Sequence, residues 1–344
     1  MSSLANLVNH QIRLAARPVG MPKPTDWSDT TEAVAEPLDG GIVVKTLALS
    51  LDPAMRGWMN EGKSYIPPVG IGEVMRAGGV GKVIASKSDQ FAVGDLVSAT
   101  LGVQEYVTLA ADEFKRNGIF KIDQRAGTVT QWLNVLGMPG MTGYFGLMDV
   151  GLPKAGETVV VSGAAGAVGQ TVGQIAKIKG CRVVGIAGGP KKCAFVKDEL
   201  GFDACLDYKA EKDLDTSLRA ACPNGIDVYF DNVGGTITDS VLRNLNFFAR
   251  VALCGSISQY NATAAEMGPR LFGTFVGKRV NMRGFIVTDF AQHYGPAMRQ
   301  IGEWIRSGKL KYREDIVDGI DKAPRAFIGL LRGENFGKLL VKMA

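Results

Sequence analysis

The sequence predicts an α/β protein in which a β-rich part precedes a doubly wound parallel sheet. Its 344 residues correspond to about two domains of ordinary size. Up to about residue 121, short β-type runs alternate with glycine, proline and other turn residues. From about residue 151, apolar strand-like runs alternate with helical patterns, which is typical of right-handed βαβ units and a parallel sheet.

The β-rich part contains four short runs of branched and apolar residues that are bounded by turn signals. They predict strands at residues 42–47, 79–85, 95–99 and 105–109. We expect these strands to form one compact domain.

The second part opens with a strand at residues 158–161, a glycine-rich turn and a helix that ends before Gly180. Further strands are predicted at 182–186, 204–206, 226–230, 250–253 and about 280–286, with helices at about 191–200, from 211, and at 236–245. The strands are apolar on both faces, as a sheet covered by helices on both sides requires. This pattern predicts a nucleotide-binding type of domain.

The C-terminal tail predicts helices at 296–306 and 323–331, a charged loop at 309–315 and a closing strand at 338–341. The residues alone do not assign this tail to either part of the protein.

The composition argues against several classes of protein. The net charge of +5 comes from scattered basic residues, with no basic run interleaved with aromatics of the kind that binds nucleic acid. Five cysteines without paired spacing are typical of a reducing compartment. His10 and His293 are the only histidines, which argues against an ordinary zinc site and against Ser-His-Asp or Cys-His catalysis.

The composition of the apolar segments indicates the cellular location of the protein. The N-terminus lacks the apolar core of a signal peptide, and the uncharged stretches 126–148 and 158–176 carry glycines and polar residues that a membrane span would not. We therefore expect a cytoplasmic protein.

The strongest local motif is the glycine-rich turn between Gly163 and Gly169, which follows a strand and opens a helix. Gly166 would let the backbone approach a pyrophosphate, and Gly169 would permit close packing of helix and strand. Ala164 stands where the first glycine of the G-x-G-x-x-G fingerprint belongs. A plain strand-to-helix turn is the alternative interpretation.

The next strand indicates which dinucleotide would bind. An NAD enzyme places an acidic residue about 20 positions after the glycines, but here no acid occurs before Asp198. Lys192, with Lys191 as a second candidate, would instead pair with a 2′-phosphate. The alternative is that both lysines only solvate a helix N-terminus. The missing acid and the two cations together favour NADPH.

Tyrosines are the candidates for acid–base work, because histidine is nearly absent. Tyr260 lies just beyond the C-terminal end of a predicted parallel strand, where ligands of such sheets bind. A phenol has an ordinary pKa of about 10, so it can donate a hydrogen bond to a developing oxyanion at neutral pH. An exposed loop tyrosine is the alternative. Tyr65 is a second candidate, although its place before a proline pair favours a packed turn aromatic.

Eight motifs along the chain resemble a known family. They are LSLDPAMRGWM, VLGMPGMTGYFGL, AAGAVGQTVGQIAK, VYFDNVGG, CGSISQYN, GFIVTDF, KLKYRED and AFIGLLRGENFGKLLVK. The chain resembles the NADPH-dependent alkene reductases of the medium-chain dehydrogenase/reductase superfamily, the group of the prostaglandin, plant alkenal and bacterial curcumin reductases. One departure is Ala54, where relatives often carry tyrosine in a D-P-Y-M-R motif.

The resemblance implies a GroES-like catalytic domain made of residues 1–125 and 305–344, with a Rossmann NADPH-binding domain at 126–304. It also implies a homodimer and a protein without zinc. The cofactor-binding residues implied are Gly166, Ala167, Val168 and Gly169 at the pyrophosphate, Lys192 and Tyr208 at the 2′-phosphate, Asn232 beside the cofactor, Cys254, Gly255, Ser256, Ile257, Ser258, Tyr260, Phe285, Ile286 and Val287 along the nicotinamide, and Asn335 from the tail. The substrate pocket implied contains Tyr65, Met138 and Tyr260.

The activity implied is hydride transfer from NADPH to the β-carbon of an α,β-unsaturated ketone or aldehyde. Tyr260 and the cofactor ribose hydroxyl would stabilise the enolate, and Tyr260 or water would protonate the α-carbon. Two alternatives stay open: a quinone reductase, which shares the zinc-free scaffold, and an NADPH-binding protein without turnover.

Overall fold

The structure, a computed structural model, describes residues 4–343. It divides into two compact units. The first takes in the chain up to Asn134 and again from Glu314 onward, and the second is Val135–Arg313. Both divisions lie several residues beyond the domain boundaries that the sequence analysis placed at 125/126 and 304/305.

The first unit begins with a hairpin that the sequence analysis did not predict. Strands β1 (Val8–Leu14) and β2 (Trp27–Ala33) pair antiparallel in a sheet of their own. Polar residues dominate both strands, so neither shows the apolar run that signals a strand.

The next elements are β3 (Ile42–Ser50), α1 (Met55–Trp58), β4 (Gly78–Ser86), β5 (Leu96–Thr100), β6 (Tyr106–Leu109), α2 (Glu113–Arg116) and β7 (Phe120–Lys121). The four predicted strands correspond to β3, β4, β5 and β6.

The second unit alternates strands and helices as predicted, and it begins with a helix that the sequence analysis did not specify. Its elements are α3 (Met138–Phe145), which continues as a π-helical segment (Gly146–Gly151), β8 (Thr158–Ser162), α4 (Ala167–Ile178), β9 (Arg182–Ala187), α5 (Pro190–Ala194), β10 (Ala204–Asp207), α6 (Leu214–Ala221), β11 (Ile226–Asp231), α7 (Gly235–Arg243), β12 (Leu245–Leu253), α8 (Phe272–Lys278), β13 (Asn281–Gly284) and α9 (Tyr294–Arg306).

The six strands of this unit form one parallel sheet in the order β10-β9-β8-β11-β12-β13. The chain moves outward in one direction from β8 and then returns to build the other half from β11. The doubly wound sheet is therefore confirmed. Ligands of such sheets bind at the carboxyl ends of the strands where the order reverses, here between β8 and β11.

Three predicted boundaries are wrong in this unit. The strand expected at about 280–286 ends at Gly284, and all four of its residues are exposed because β13 is an edge strand. The strand expected at 250–253 begins already at Leu245, while the preceding helix ends at Arg243 rather than at residue 245. In β12 the polar residues Asn246 and Arg250 interrupt the apolar run, and Phe247 and Phe248 are exposed.

The tail belongs to the first unit. It forms β14 (Glu314–Asp318), α10 (Ala323–Leu331) and β15 (Lys338–Lys342), and the large sheet of this unit runs β14-β15-β3-β4-β5-β7, with β6 paired to β3. The charged segment 309–315, expected as a loop, enters β14 at Glu314, because this strand pairs in parallel with β15. Between residues 4 and 343, none of the helices is both long and apolar enough to span a membrane.

Candidate cofactor and active site

The predicted site residues of the second unit follow the carboxyl ends of its parallel strands. Strands β8, β9, β11, β12 and β13 end at Ser162, Ala187, Asp231, Leu253 and Gly284, respectively. Each strand is followed by one of the segments in which the sequence analysis placed cofactor-binding residues. Because carboxyl ends of parallel strands share one edge of the sheet, these segments lie along a single edge.

The glycine-rich turn has two glycines with different roles. A Cβ atom added to Gly169 would lie 2.3 Å from the carbonyl oxygen of Gly163, so the turn itself requires glycine there. The close atoms belong to the turn and not to the strand, which corrects the expected reason for this glycine. A Cβ atom added to Gly166 would meet only that same oxygen within 4 Å, at 3.2 Å. Among the described residues, nothing else fills the space that Gly166 faces.

The turn ends at the start of α4, which has no side-chain cap on its first amides. Gly166 is in an extended conformation and donates its N–H to the Gly163 carbonyl at 2.9 Å. A helix N-terminus with free amides attracts anionic oxygens, and the open space at Gly166 lets them approach. The arrangement fits the phosphates of a dinucleotide.

The segment after β9 contains no acidic residue, as the sequence indicated. Lys192 lies in α5 and is partly buried, while Tyr208 follows β10 and is 43% exposed. The hydroxyl of Tyr208 lies 3.0 Å from where a Cβ atom of Gly188 would stand, so its ring covers that glycine. Asp207, at the end of β10, accepts backbone hydrogen bonds from Gly189 at 2.8 Å and Lys209 at 3.1 Å.

The segment after β11 connects this strand to β8. The side-chain amide of Asn232 donates to the Ser162 carbonyl at 2.7 Å, and its backbone N–H donates to the Ser162 hydroxyl at 2.9 Å. Asp231, which precedes it, is only 2% exposed. Its carboxylate accepts hydrogen bonds from the side chain of Ser162 and from the backbone of Val233 and Gly234. Neither Ser162 nor Asp231 is among the predicted site residues, although each is a polar residue at the end of an apolar strand.

The segment after β12 carries Tyr260 and folds back over itself. A short 3-10 helix, Ile257–Gln259, precedes the tyrosine. The Tyr260 hydroxyl accepts from the Ser256 N–H at 3.4 Å and lies 2.9 Å from where a Cβ atom of Gly255 would stand. Tyr260 is therefore partly buried at the sheet edge, and the alternative of an exposed loop tyrosine is wrong.

Cys254 does not offer a nucleophile at this edge. Burial raises the pKa of its thiol to about 12, and the nearby Asp231 carboxylate adds to the effect. A neutral thiol is a poor nucleophile, so Cys254 contributes shape and backbone contacts.

The segment after β13 rests on aromatic side chains. A Cβ atom added to Gly146 would lie 2.3 Å from Cζ of Phe285, so the π-helical segment approaches this ring closely. The Phe285 and Phe230 rings meet edge to face at 6.1 Å. The Tyr294 hydroxyl donates to the Val287 carbonyl at 3.0 Å. Burial and the nearby Asp289 carboxylate raise the pKa of Tyr294 to about 12. These contacts hold residues 285–287, including Ile286, in place.

The other predicted residues occupy separate positions. Met138 is the first residue of α3 and is 41% exposed. Asn335, between α10 and β15, donates to the Gly337 carbonyl at 2.9 Å. Tyr65 is 59% exposed and accepts from Nε1 of Trp58 at 3.0 Å, so the packed turn aromatic predicted there is wrong. Ala54 immediately precedes α1.

The donor set for a metal is poor. His10 pairs with Asp29 at 2.5 Å in the β1–β2 hairpin, and all five cysteines are free thiols. Within residues 4–343, no group of three or more His, Cys, Asp or Glu side chains is arranged to hold a metal ion.

Comparison with known proteins identifies the family. The N-terminal domain of oxidoreductases matches residues 10–116, and the zinc-binding dehydrogenase family matches residues 167–303. The chain is 45% identical to the NADPH-dependent curcumin reductase of Escherichia coli (strain K12), covering 98% of this chain and 97% of that protein. It is 40% identical to the 2-alkenal reductase (NADP(+)-dependent) of Nicotiana tabacum, covering 98% of each.

A solved structure agrees with these relatives. The crystal structure of CurA in complex with NADPH from Vibrio vulnificus matches with a TM-score of 0.92 and 46% sequence identity. The match covers 97% of this chain and 99% of that one. The chain therefore belongs to the medium-chain dehydrogenase/reductase superfamily, in the group of NADP-dependent oxidoreductases that includes curcumin reductase.

Proposed function

We propose that this protein is a zinc-independent alkene reductase that transfers hydride from NADPH to the β-carbon of α,β-unsaturated ketones or aldehydes. The observation that carries this proposal is Tyr260, a partly buried hydroxyl on the same sheet edge as the open, uncapped turn at Gly166. The names of the curcumin and alkenal reductases support the same chemistry.

The cofactor would be held by the segments that follow the parallel strands. Residues 166–169 would bind the pyrophosphate, because Ala167, Val168 and Gly169 begin a helix without a side-chain cap and Gly166 leaves space beside them. Lys192 and Tyr208 would bind the 2′-phosphate, and Asn232, residues 254–258 and residues 285–287 would lie along the nicotinamide half. Contacts of Asn335 with the cofactor and of Tyr65 and Met138 with the substrate stay predictions.

Tyr260 would act on the substrate oxygen. When bound, NADPH would supply the hydride that reaches the β-carbon. Negative charge then develops on the substrate carbonyl oxygen, and the Tyr260 hydroxyl would donate a hydrogen bond to it. The same hydroxyl or a water molecule would deliver the proton to the α-carbon. This chemistry requires no metal.

The test is NADPH oxidation followed by absorbance, with and without a conjugated enone, and with NADH in a parallel series. A quinone is the comparison acceptor. Enone-dependent oxidation that favours NADPH supports the proposal. Oxidation with the quinone alone would establish the quinone reductase alternative, and NADPH binding without any oxidation would establish a non-catalytic role.

We also propose a homodimer formed through the β13 edge. β13 ends the sheet, and its four residues are exposed. Beside it, the exposed Phe247 and Phe248 rings both contact the Arg279 guanidinium, at 4.9 and 4.4 Å. Unpaired strand edges readily pair with another chain. Sedimentation should give twice the mass of one chain, and the mass of a single chain would contradict the dimer.

The location proposed is the cytoplasm. All five cysteines are free thiols, which is typical of a reducing compartment. Fractionation of the source cells, followed by detection of the protein, tests this location directly.

A further inference from the structure

The carboxylate of Asp231 lies at the reversal point of the parallel sheet and is surrounded by uncharged donors. It accepts from the Ser162 hydroxyl and the Tyr229 hydroxyl, both at 2.9 Å, and from the Thr238 hydroxyl at 2.6 Å. It also accepts from the backbone N–H groups of Val233 at 2.9 Å and Gly234 at 3.0 Å. These donors come from β8, β11, α7 and the turn between β11 and α7.

The burial of this group makes its hydrogen bonds costly to lose. Asp231 is 2% exposed, and Tyr229 and Ser162 are fully buried. Burial and the adjacent carboxylate hold the pKa of Tyr229 well above its usual range, so its hydroxyl stays protonated and donates. A buried polar group that loses a partner carries the full cost of desolvation. The turn at residues 232–234 is therefore fixed by the carboxylate on one side.

The carbonyl groups of residues 231–233 accept hydrogen bonds from the segment that carries Tyr260. The backbone carbonyl of Asp231 accepts from Cys254 at 2.9 Å and from Gly255 at 3.1 Å. The next two carbonyls of the turn, at Asn232 and Val233, accept from the N–H groups of Ile257 at 3.3 Å and Ser258 at 3.1 Å. The Ser258 hydroxyl adds a bond to the Val233 carbonyl at 2.7 Å.

We propose that Asp231 is a positioning residue that fixes the 232–234 turn and, through it, the place of the Tyr260 hydroxyl. The inference rests on the proposed function in so far as Tyr260 is assigned to catalysis. Asp231 contacts neither substrate nor cofactor in this account. Its effect reaches the reaction through backbone hydrogen bonds, so its loss should displace Tyr260 without removing it.

The first arm of the test needs no cofactor. The variant is Asp231→Asn in the full chain. It replaces a carboxylate oxygen, which accepts hydrogen bonds, by an amide NH₂ group, whose two hydrogens would face the five donors around this side chain. Hydrogen–deuterium exchange of the backbone amides at 254–258 should then accelerate by about tenfold or more. Unchanged protection of these amides would overturn the proposal.

A carboxylate on the same strand is the matched control. Asp227, at the opposite end of β11, accepts from the Thr158 N–H at 2.8 Å and from the Asn246 side chain at 2.8 Å. Asp227→Asn should loosen its own neighbours and leave exchange at 254–258 as in the wild type. Equal acceleration in both variants would show a general loss of stability and contradict positioning by Asp231.

The second arm is a double-mutant cycle with Tyr260→Phe, read as kcat for an enone at saturating NADPH. Asp231→Asn alone should lower kcat by about 10- to 100-fold, less than the loss of an oxyanion donor outright. In the Tyr260→Phe background the same substitution should cost less than about threefold, because residues that act as one unit are not additive. An equal loss in both backgrounds would overturn the proposal.

A milder pair covers the case in which Asp231→Asn does not fold. Thr238→Val removes one donor to the carboxylate, whereas Thr238→Ser keeps the hydroxyl. Only the valine variant should accelerate exchange at 254–258 and lower kcat. If the wild type shows no enone-dependent oxidation, the proposed function fails, and the exchange measurements still decide whether Asp231 holds the turn.

Discussion

Tyr260 acts, in this account, through one hydroxyl whose removal leaves the ring in place. We expect Tyr260→Phe to lower kcat by about 10²- to 10³-fold, the usual cost of losing one oxyanion donor. The dissociation constant for NADPH should stay within about threefold, because we assign the hydroxyl to the substrate oxygen. Steady-state kinetics and a fluorescence titration measure the two quantities, and Tyr106→Phe in the first unit is the control. Unchanged turnover would remove Tyr260 from the mechanism.

Lys192 is the residue to which we assign the preference for NADPH over NADH. Loss of a charge-assisted hydrogen bond costs about 1.5–3 kcal/mol, so Lys192→Ala should weaken NADPH binding by about tenfold or more. NADH binding should be unaffected, since NADH lacks the 2′-phosphate. The adjacent and exposed Lys191 provides the matched alanine control. Equal losses for both cofactors would contradict the assignment.

Sequence alone could identify some site residues and not others. Tyr260 could be selected because it follows an apolar strand, and the end of such a strand is where ligands bind. Asp231 follows the same rule but could not be selected, because an aspartate at a strand end equally marks an ordinary turn. Its role became visible only when its donors from β8 and α7 were seen to converge.

In the glycine-rich turn, we expect one glycine to be required for stability and another for cofactor binding. Gly166→Ala should change the unfolding midpoint little, since its Cβ atom would meet only the Gly163 carbonyl oxygen, at 3.2 Å, and should weaken NADPH binding by about tenfold or more. Gly169→Ala should destabilise the protein by about 1–3 kcal/mol, because its Cβ atom would overlap the Gly163 carbonyl. Denaturant unfolding and NADPH titration measure both. Wild-type binding by the Gly166 variant would contradict the phosphate site.

The tail is joined to the segment that directly follows β3 by a buried ion pair. Lys338 is 2% exposed, and its Nζ atom lies 2.7 Å from Asp52 and 2.8 Å from the Leu51 carbonyl. Lys338→Met should destabilise the protein by about 3–5 kcal/mol, because it leaves a buried carboxylate without its cation. Arg125→Met, which breaks an exposed pair with Asp123, is the control and should change the unfolding midpoint little. Equal effects would show that the buried pair is not a main contact of the tail.

Which elements could be predicted depended on how much apolar surface each of them buries. The central strands β8 and β11 are buried along almost their whole length and contain apolar runs, so their positions were evident from the sequence. The β1–β2 hairpin and the edge strand β13 are rich in polar residues, and their predictions were absent or misplaced. Edge strands give weak patterns because only one neighbour and little burial constrain their residues.

For the whole molecule, the fold class and the family could be predicted from the sequence. Which of the two units the C-terminal tail joins could not be predicted from local patterns. The alternation of strands and helices is a local pattern that any βαβ unit repeats. The pairing of β15 with β3 joins residues nearly 300 positions apart, and no local signal specifies such a contact. Only the family resemblance assigned the tail before the structure was known.

The most direct test of the proposed activity follows the hydride itself. NADPH carrying deuterium at the transferable position is incubated with the protein and an α,β-unsaturated ketone, and the product is examined by mass spectrometry and NMR. We expect a saturated ketone with the deuterium on the former β-carbon. Deuterium on the carbonyl carbon of an unsaturated alcohol, or a product without deuterium, would contradict the account.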